Sequence, residues 1–202
     1  MQVIYTLPAL LIALTFHEFS HGLAAYYLGD NTAKVRGRLT LNPIKHIDPI
    51  GLFTLLVFKF GWAKPVPFNP LNFKNRKWGT LIVALAGPFS NFILAFLSFM
   101  LLLLINPVNP LFFIFLNSLF LYNLILCVFN LIPVPPLDGS KIIASILPVK
   151  QEALFYQYER YGYPLLLILI VTGILDYILY PAINFFREMI ISIASIILRG
   201  IL

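Results

Sequence analysis

The 202-residue chain is 60% hydrophobic and only 11% charged, and its mean hydropathy is +0.90. This composition excludes an ordinary soluble domain, in which about a quarter of the residues are charged. The net charge of +6 does not indicate a nucleic-acid-binding surface, because the basic residues are not interleaved with stacking aromatic residues on a polar domain. The predicted class is an integral membrane protein.

Four apolar segments are long enough, or nearly long enough, to cross a membrane. A hydrocarbon layer of ~30 Å requires about 20 helical residues. The segments cover residues 3–28, 79–105, 111–132 and 163–180. They predict an all-α protein, a polytopic transmembrane helix bundle with about four to six membrane segments.

Two further apolar segments are ambiguous. Residues 51–60 would rise only ~15 Å as a helix, which favours a re-entrant or interfacial segment. Residues 183–202 carry one polar stripe at helical spacing, so this helix either lies in the membrane interface or turns the stripe inward. The stripe consists of Asn184, Glu188, Ser192, Ser195 and Arg199.

The connecting segments are irregular. Between residues 32 and 77, the short alternating or proline-punctuated runs at 36–41 and 62–67 favour edge strands or re-entrant segments over helices. Residues 133–139 contain three prolines within four positions, which cannot continue a helix.

The distribution of basic residues predicts the topology. Nine of the 14 lysines and arginines fall between Lys34 and Lys77, whereas residues 106–110 have none. Because basic loops stay in the cytoplasm, we expect a multi-pass cell-membrane protein with residues 30–77 and 141–160 cytoplasmic and the amino terminus outside.

The sequence His17-Glu18-Phe19-Ser20-His21 predicts a metal site inside the first segment. On a helix, residues four apart share one face with Cβ atoms ~5–6 Å apart, so both imidazoles can bind one metal ion. Two histidines, a carboxylate and an open position form a catalytic zinc site, and Glu18 can act as its general base. Placing three ionisable groups among apolar residues is costly and indicates function. We expect one zinc ion per chain.

Three separated motifs resemble those of the site-2 protease family of intramembrane zinc metalloproteases. They are the His17–His21 sequence, Gly87-Pro88-Phe89-Ser90-Asn91, and the run from Asn130 to Gly139. The resemblance implies that Asp138 is the third zinc ligand and that Asn130 helps to hold the substrate or the oxyanion. It covers residues 1–145 as the catalytic core, with 146–202 as additional C-terminal membrane helices of the same domain. It fits minimal members that lack PDZ and CBS domains.

Apart from the resemblance, the residues themselves favour Asp138 as the third zinc ligand. Catalytic zinc usually keeps three protein ligands, and the histidines supply two. Among the carboxylates, Asp138 alone follows a helix end through a proline-rich turn, and irregular backbone at membrane depth is tolerated where it lines a cavity. We expect Gly139 to let this turn pass close to the first helix.

Four other residues are candidates for a role at or near the site. Asn91 either binds the substrate backbone or joins two helices, and Val66 lies in a segment that can pair with a substrate strand. His46 either tunes access to the site or belongs to an exposed loop, and we favour the loop. Cys127 either binds zinc or is a small packing residue, and we favour packing.

The predicted function is that of an intramembrane zinc metalloendopeptidase, which hydrolyses a peptide bond within or near the transmembrane segment of a membrane-protein substrate in regulated intramembrane proteolysis. The expected partners are that substrate and membrane lipid, with no nucleic acid. A metal transporter is one alternative, although only Asp176 offers a further ligand on another span. A catalytically silent scaffold is the other, and the intact Glu18 argues against it.

Overall fold

The computed structural model describes residues 2–58 and 61–201, and its regular structure is helical. This confirms the all-α prediction. Three 3-10 turns, Pro43–Lys45, Pro70–Asn72 and Glu159–Tyr161, accompany the α-helices. The α-helices of the described residues are α1 (Gln2–Tyr27), α2 (Thr32–Val35), α3 (Pro49–Phe58), α4 (Arg76–Ile105), α5 (Pro110–Asn130), α6 (Asp138–Ile146), α7 (Val149–Tyr158), α8 (Gly162–Val171) and α9 (Ile174–Ile201).

The bundle is built on α1, α4 and α5, which pack against one another, while α6 packs on α4 and α9 packs on α5 and α4. Three of the described helices are long and apolar enough to cross a membrane: α4, α5 and the part of α9 at 174–199. Helix α1 has 26 residues and is about 39 Å long, and it carries the polar His-Glu-His motif. The chain is a multi-pass membrane protein.

Local sequence determines the α4–α5 hairpin. The side chain of Asn75 accepts a hydrogen bond from the Trp78 N–H at the start of α4, and Asn109 caps α5 in the same way. Asn106 ends α4 in the left-handed conformation, and Pro110 occupies the first turn of α5. Because only four residues join the two helices, they are antiparallel neighbours.

The predicted span at 163–180 is wrong as a single helix. Gly173 adopts a φ of +73°, so the chain breaks there into α8 and α9. Helix α9 then continues through the segment that was predicted to begin separately at residue 183; residue 202 lies outside the described residues. The polar stripe of α9 is exposed, which contradicts the alternative in which it turned inward.

The strand predictions are also wrong in detail. Within residues 2–58 and 61–201 there is no β-strand, only an isolated antiparallel bridge between Ile47 and Ala63. Residues 36–41 form turns and bends, since Gly37 has a φ of +62°. Residues 62–69 cannot form a full ladder, because Pro65 and Pro67 lack N–H donors. Residues 59 and 60 of the short apolar segment lie outside the described residues.

The proline-rich turn after α5 leads into α6, whose first residue is Asp138. A Cβ built on Gly139 would lie only 2.3 Å and 2.4 Å from the carbonyl oxygens of Leu131 and Ile132. Gly139 therefore lets the turn fold tightly against the end of α5, and its nearest neighbours are there and not in the first helix, where they were expected.

Candidate active site

The predicted zinc ligands converge on one point. His17 and His21 lie one turn apart on α1, and their Nε2 atoms are 3.0 Å from each other. The Oδ2 atom of Asp138 lies 3.1 Å from the Nε2 of His17 and 3.0 Å from that of His21. All three residues are buried. The packing of α6 on α4 thus brings a carboxylate from a distant part of the sequence to the first helix.

The far sides of both imidazoles are held by oxygen acceptors. The Nδ1 of His21 is 2.7 Å from the carbonyl oxygen of Val83, and the Nδ1 of His17 is 2.6 Å from Oδ1 of Asn91. A carbonyl oxygen only accepts hydrogen bonds, so each Nδ1 carries the proton and donates it. In the neutral form of each imidazole, Nε2 then presents a lone pair to Asp138.

Asn91 is oriented by a second asparagine that sequence reasoning missed. Its Nδ2 donates to the Ala13 carbonyl (3.0 Å) and to Oδ1 of Asn123 (2.8 Å), which leaves its own Oδ1 for His17. Asn123 is fixed in turn because its Nδ2 donates to Leu119 O (2.8 Å). An amide within an apolar span is the signal that could have identified Asn123. Asn91 has no exposed surface, which favours helix joining over substrate contact.

This arrangement fits a metal ion. Three lone-pair atoms meet at about 3 Å, and none of the described residues donates a hydrogen bond to the buried Asp138 Oδ2. Such a cluster is repulsive without a cation. Two histidines and a carboxylate are the ligand set of many catalytic zinc sites, in which tetrahedral bonds of ~2.1 Å place ligand atoms ~3.4 Å apart. The Lys141 ammonium, 3.4 Å from Oδ1, balances the other carboxylate oxygen.

Glu18 is held by the backbone of the segment at residues 62–69. Its Oε2 accepts a hydrogen bond of 2.7 Å from the Val66 N–H, and both residues are buried. Because Pro65 and Pro67 lack an N–H, Val66 has the one backbone donor of this triplet. In this structure that donor serves Glu18, and the pairing of Val66 with a substrate strand stays a prediction.

Gly87 is a further site residue to which the sequence analysis assigned no role. A Cβ built on it would lie 2.4 Å from Nε2 of His21 and 2.6 Å from Cε1 of His17. The backbone of α4 therefore contacts the two histidines directly, and any larger residue at this position would displace them.

Asp30, just beyond the end of α1, fixes residues 69–72 relative to that helix. Its carboxylate accepts hydrogen bonds from the Asn69 N–H (2.7 Å), from Asn72 Nδ2 (2.6 Å) and from Thr32. Burial alone would raise the pKa of Asp30, but these hydrogen bonds outweigh it and lower the pKa below its ordinary value.

None of the contacts described for the remaining candidates reaches this cluster. The Asn130 amide donates to Leu126 O (3.0 Å) of its own helix, and its role toward substrate stays a prediction. His46 is buried, with Nε2 2.7 Å from Thr40 O, so the exposed-loop interpretation is wrong. It lines a cavity between α1 and α3. Cys127 is buried outside the His-Asp cluster, as the packing interpretation predicts.

Comparison with known proteins identifies the family. The sequence profile of Peptidase family M50 matches residues 108–173. "Putative zinc metalloprotease YwhC" of Bacillus subtilis is 42% identical over 98% of this chain and 94% of its own length. "Putative zinc metalloprotease Rip2" of Mycolicibacterium smegmatis is 30% identical over 82% of this chain and 66% of its own. No solved structure gives a significant match. The chain belongs to peptidase family M50, the site-2 protease family, and is a membrane-embedded zinc metalloprotease.

Proposed function

We propose that the protein is an endopeptidase that hydrolyses a peptide bond within or near the transmembrane segment of a membrane-protein substrate. The observation that carries this proposal is the depth of the His17, His21 and Asp138 cluster. His21 and His17 lie six and ten residues before the end of α1 at Tyr27, which corresponds to about 9 Å and 15 Å along the axis. The same cluster contacts α4, one of the candidate spans.

Each residue then has a defined role. His17, His21 and Asp138 would hold one zinc ion, which when bound would acidify water and polarise the scissile carbonyl. Glu18 takes the proton of the attacking water and passes it to the leaving amine. The Val66 N–H holds the Glu18 carboxylate in one orientation. Asn130 holds the substrate or the oxyanion.

We propose that the site opens toward the cytoplasm, with residues 30–77 and 141–160 on that side of the cell membrane and the amino terminus outside. Two contacts between α4 and the α6–α7 region support a shared side for these basic segments. Arg76 Nη2 lies 2.8 Å from Glu152 Oε2, and Lys77 donates to the Leu147 carbonyl. The 106–109 turn lies at the other end of α4.

Labelling of engineered cysteines tests this topology. In a Cys127→Ser background, an impermeant thiol reagent should label Val108→Cys in intact cells, because Val108 is 97% exposed. It should not label Lys74→Cys, which is also exposed, until the membrane is opened. The reverse pattern would invert the topology.

The activity test compares two carboxylate variants. Purified Glu18→Gln should keep its zinc and lose cleavage of a model transmembrane substrate by several orders of magnitude, because the ligands remain and the general base is lost. Asp138→Ala should lose both zinc and cleavage. A zinc-loaded and active Asp138→Ala enzyme would refute the ligand assignment, and wild-type protein that binds the substrate without cleaving it would refute the activity.

A further inference from the structure

Helix α9 packs into the bundle through one face only. Ile190 and Ala194 on that face have no exposed surface. Ile190 belongs to a cluster with Ala95 of α4 and Phe120 of α5. The ring of Phe186 lies 6.0 Å from that of Phe92.

These contacts place residues 186–190 at the middle of the membrane. The uncharged part of α4 runs from residue 78 to 105, so its midpoint is close to Phe92. The midpoint of α5, which spans Pro110–Asn130, is Phe120. Both midpoints contact the same part of α9, which excludes an orientation of this helix along the membrane surface.

The opposite face of α9 carries Glu188 at this depth, and Arg187 lies on the flank of the helix, about 100° round the axis from Glu188. Arg187 and Glu188 are exposed, with side chains 47% and 63% accessible, and Arg187 Nη2 lies 3.2 Å from Glu188 Oε1. The guanidinium is therefore drawn toward the polar stripe. The stripe continues along the helix through Asn184, Glu188, Ser192, Ser195 and Arg199, all of them exposed. Charged groups at mid-membrane are costly in lipid and normally face protein or water.

We propose that this stripe is the interface of a homodimer, in which α9 pairs with α9 of a second copy. Arg187 and Glu188 are adjacent and so lie at nearly the same height. A two-fold axis along the membrane normal would bring Arg187 to the partner's Glu188, and the reverse pair follows by symmetry. Asn184 adds a self-complementary amide, and the small Ser192 and Ser195 permit close approach of the helices. A second copy is thus complementary in charge and in shape.

Cysteine cross-linking tests the interface on the full chain in detergent or nanodiscs. Cys127 is the only cysteine, so Cys127→Ser provides a clean background. Ser192→Cys should form a disulfide-linked dimer under mild oxidation. Leu97→Cys, on an exposed surface of α4 at a comparable depth, should not. Equal cross-linking at both positions, or a protein that stays monomeric at all concentrations, would overturn the proposal.

Charge reversal tests the pairing itself. Glu188→Arg and Arg187→Glu should each weaken dimerisation of the Ser192→Cys protein by about tenfold, whereas the double reversal should restore it. The milder Glu188→Gln variant controls for misfolding caused by charge reversal. Its dimerisation should weaken, whereas its zinc content and monodispersity should stay unchanged. Unchanged dimerisation in the charge-reversal variants would refute the proposal. Cross-linking that requires another membrane protein would also refute it and would assign the stripe to a different partner. The outcome does not depend on whether the protein cleaves membrane substrates.

Discussion

Gly87→Ala should remove the metal site while leaving the helix bundle intact. The added Cβ would lie 2.4 Å from Nε2 of His21 and 2.6 Å from Cε1 of His17. Ordinary contacts begin at about 3.4 Å, so the imidazoles must move by roughly 1 Å, whereas a metal site tolerates about 0.2 Å in its ligand distances. A misplacement of ~1 Å costs on the order of 100-fold in catalysis.

The fold should tolerate this change. Overpacking costs about 1–3 kcal/mol, and alanine offsets ~0.5–1 kcal/mol of it because glycine is unfavourable inside a helix. We therefore expect low zinc content and at least ~100-fold lower kcat/KM, with a similar unfolding temperature in the presence of a chelator. Metal analysis, cleavage of a model transmembrane substrate and thermal unfolding measure the three quantities.

Gly22→Ala is the matched control, since Gly22 directly follows His21. Its Cβ would meet only side-chain atoms, of Val66, Leu39 and Ala33, at 3.1–3.4 Å, so they can yield by a few tenths of an ångström. This variant should keep its zinc and most of its activity. A fully zinc-loaded Gly87→Ala enzyme with wild-type kcat/KM would refute the reasoning.

Three further changes test the supporting contacts. Val66→Pro removes the N–H that holds Glu18 and should lower kcat by roughly 10- to 100-fold with zinc retained. The control Val66→Ala loses the same side-chain contacts but keeps the N–H, so its kcat should fall much less. Equal losses of kcat in the two variants would contradict a role for the hydrogen bond. Asn91→Leu removes the acceptor for His17 Nδ1 and should weaken zinc binding by ~10- to 100-fold in a chelator competition; unchanged affinity would contradict its positioning role. The pKa of Asp30 in the folded protein lies below its ordinary value of 3.8. The stability that the Asp30 carboxylate contributes to the fold is therefore complete above pH 3.8 and is lost as the pH falls through the folded pKa. Acid unfolding of the wild type should therefore be steeper below about pH 4 than that of Asp30→Asn, which is less stable at neutral pH; parallel pH curves would contradict the assignment.

The sequence predicted the elements that depend on neighbouring residues. Apolar length predicted α4 and α5, and the four-residue spacing of His17 and His21 placed both imidazoles on one helical face. Hydropathy failed to predict a helix boundary that depends on the backbone conformation of a single residue. Gly173, with its positive φ, interrupts an apolar run that reads as one span, and no hydropathy pattern reports that.

The sequence by itself determined that this chain is a helical membrane protein with a His-Glu-His motif inside an apolar helix, because composition and helical spacing are local properties. Only the tertiary structure decided what surrounds that motif. The sequence named Asp138 as the third ligand, but its position beside the histidines, the contact of Gly87 with both rings, and the hydrogen bonds from Val66 to Glu18 and from His17 to Asn91 join segments that are tens of residues apart. Such contacts depend on how α1, α4 and α6 pack and on where proline leaves a single N–H to donate, and no local pattern encodes them.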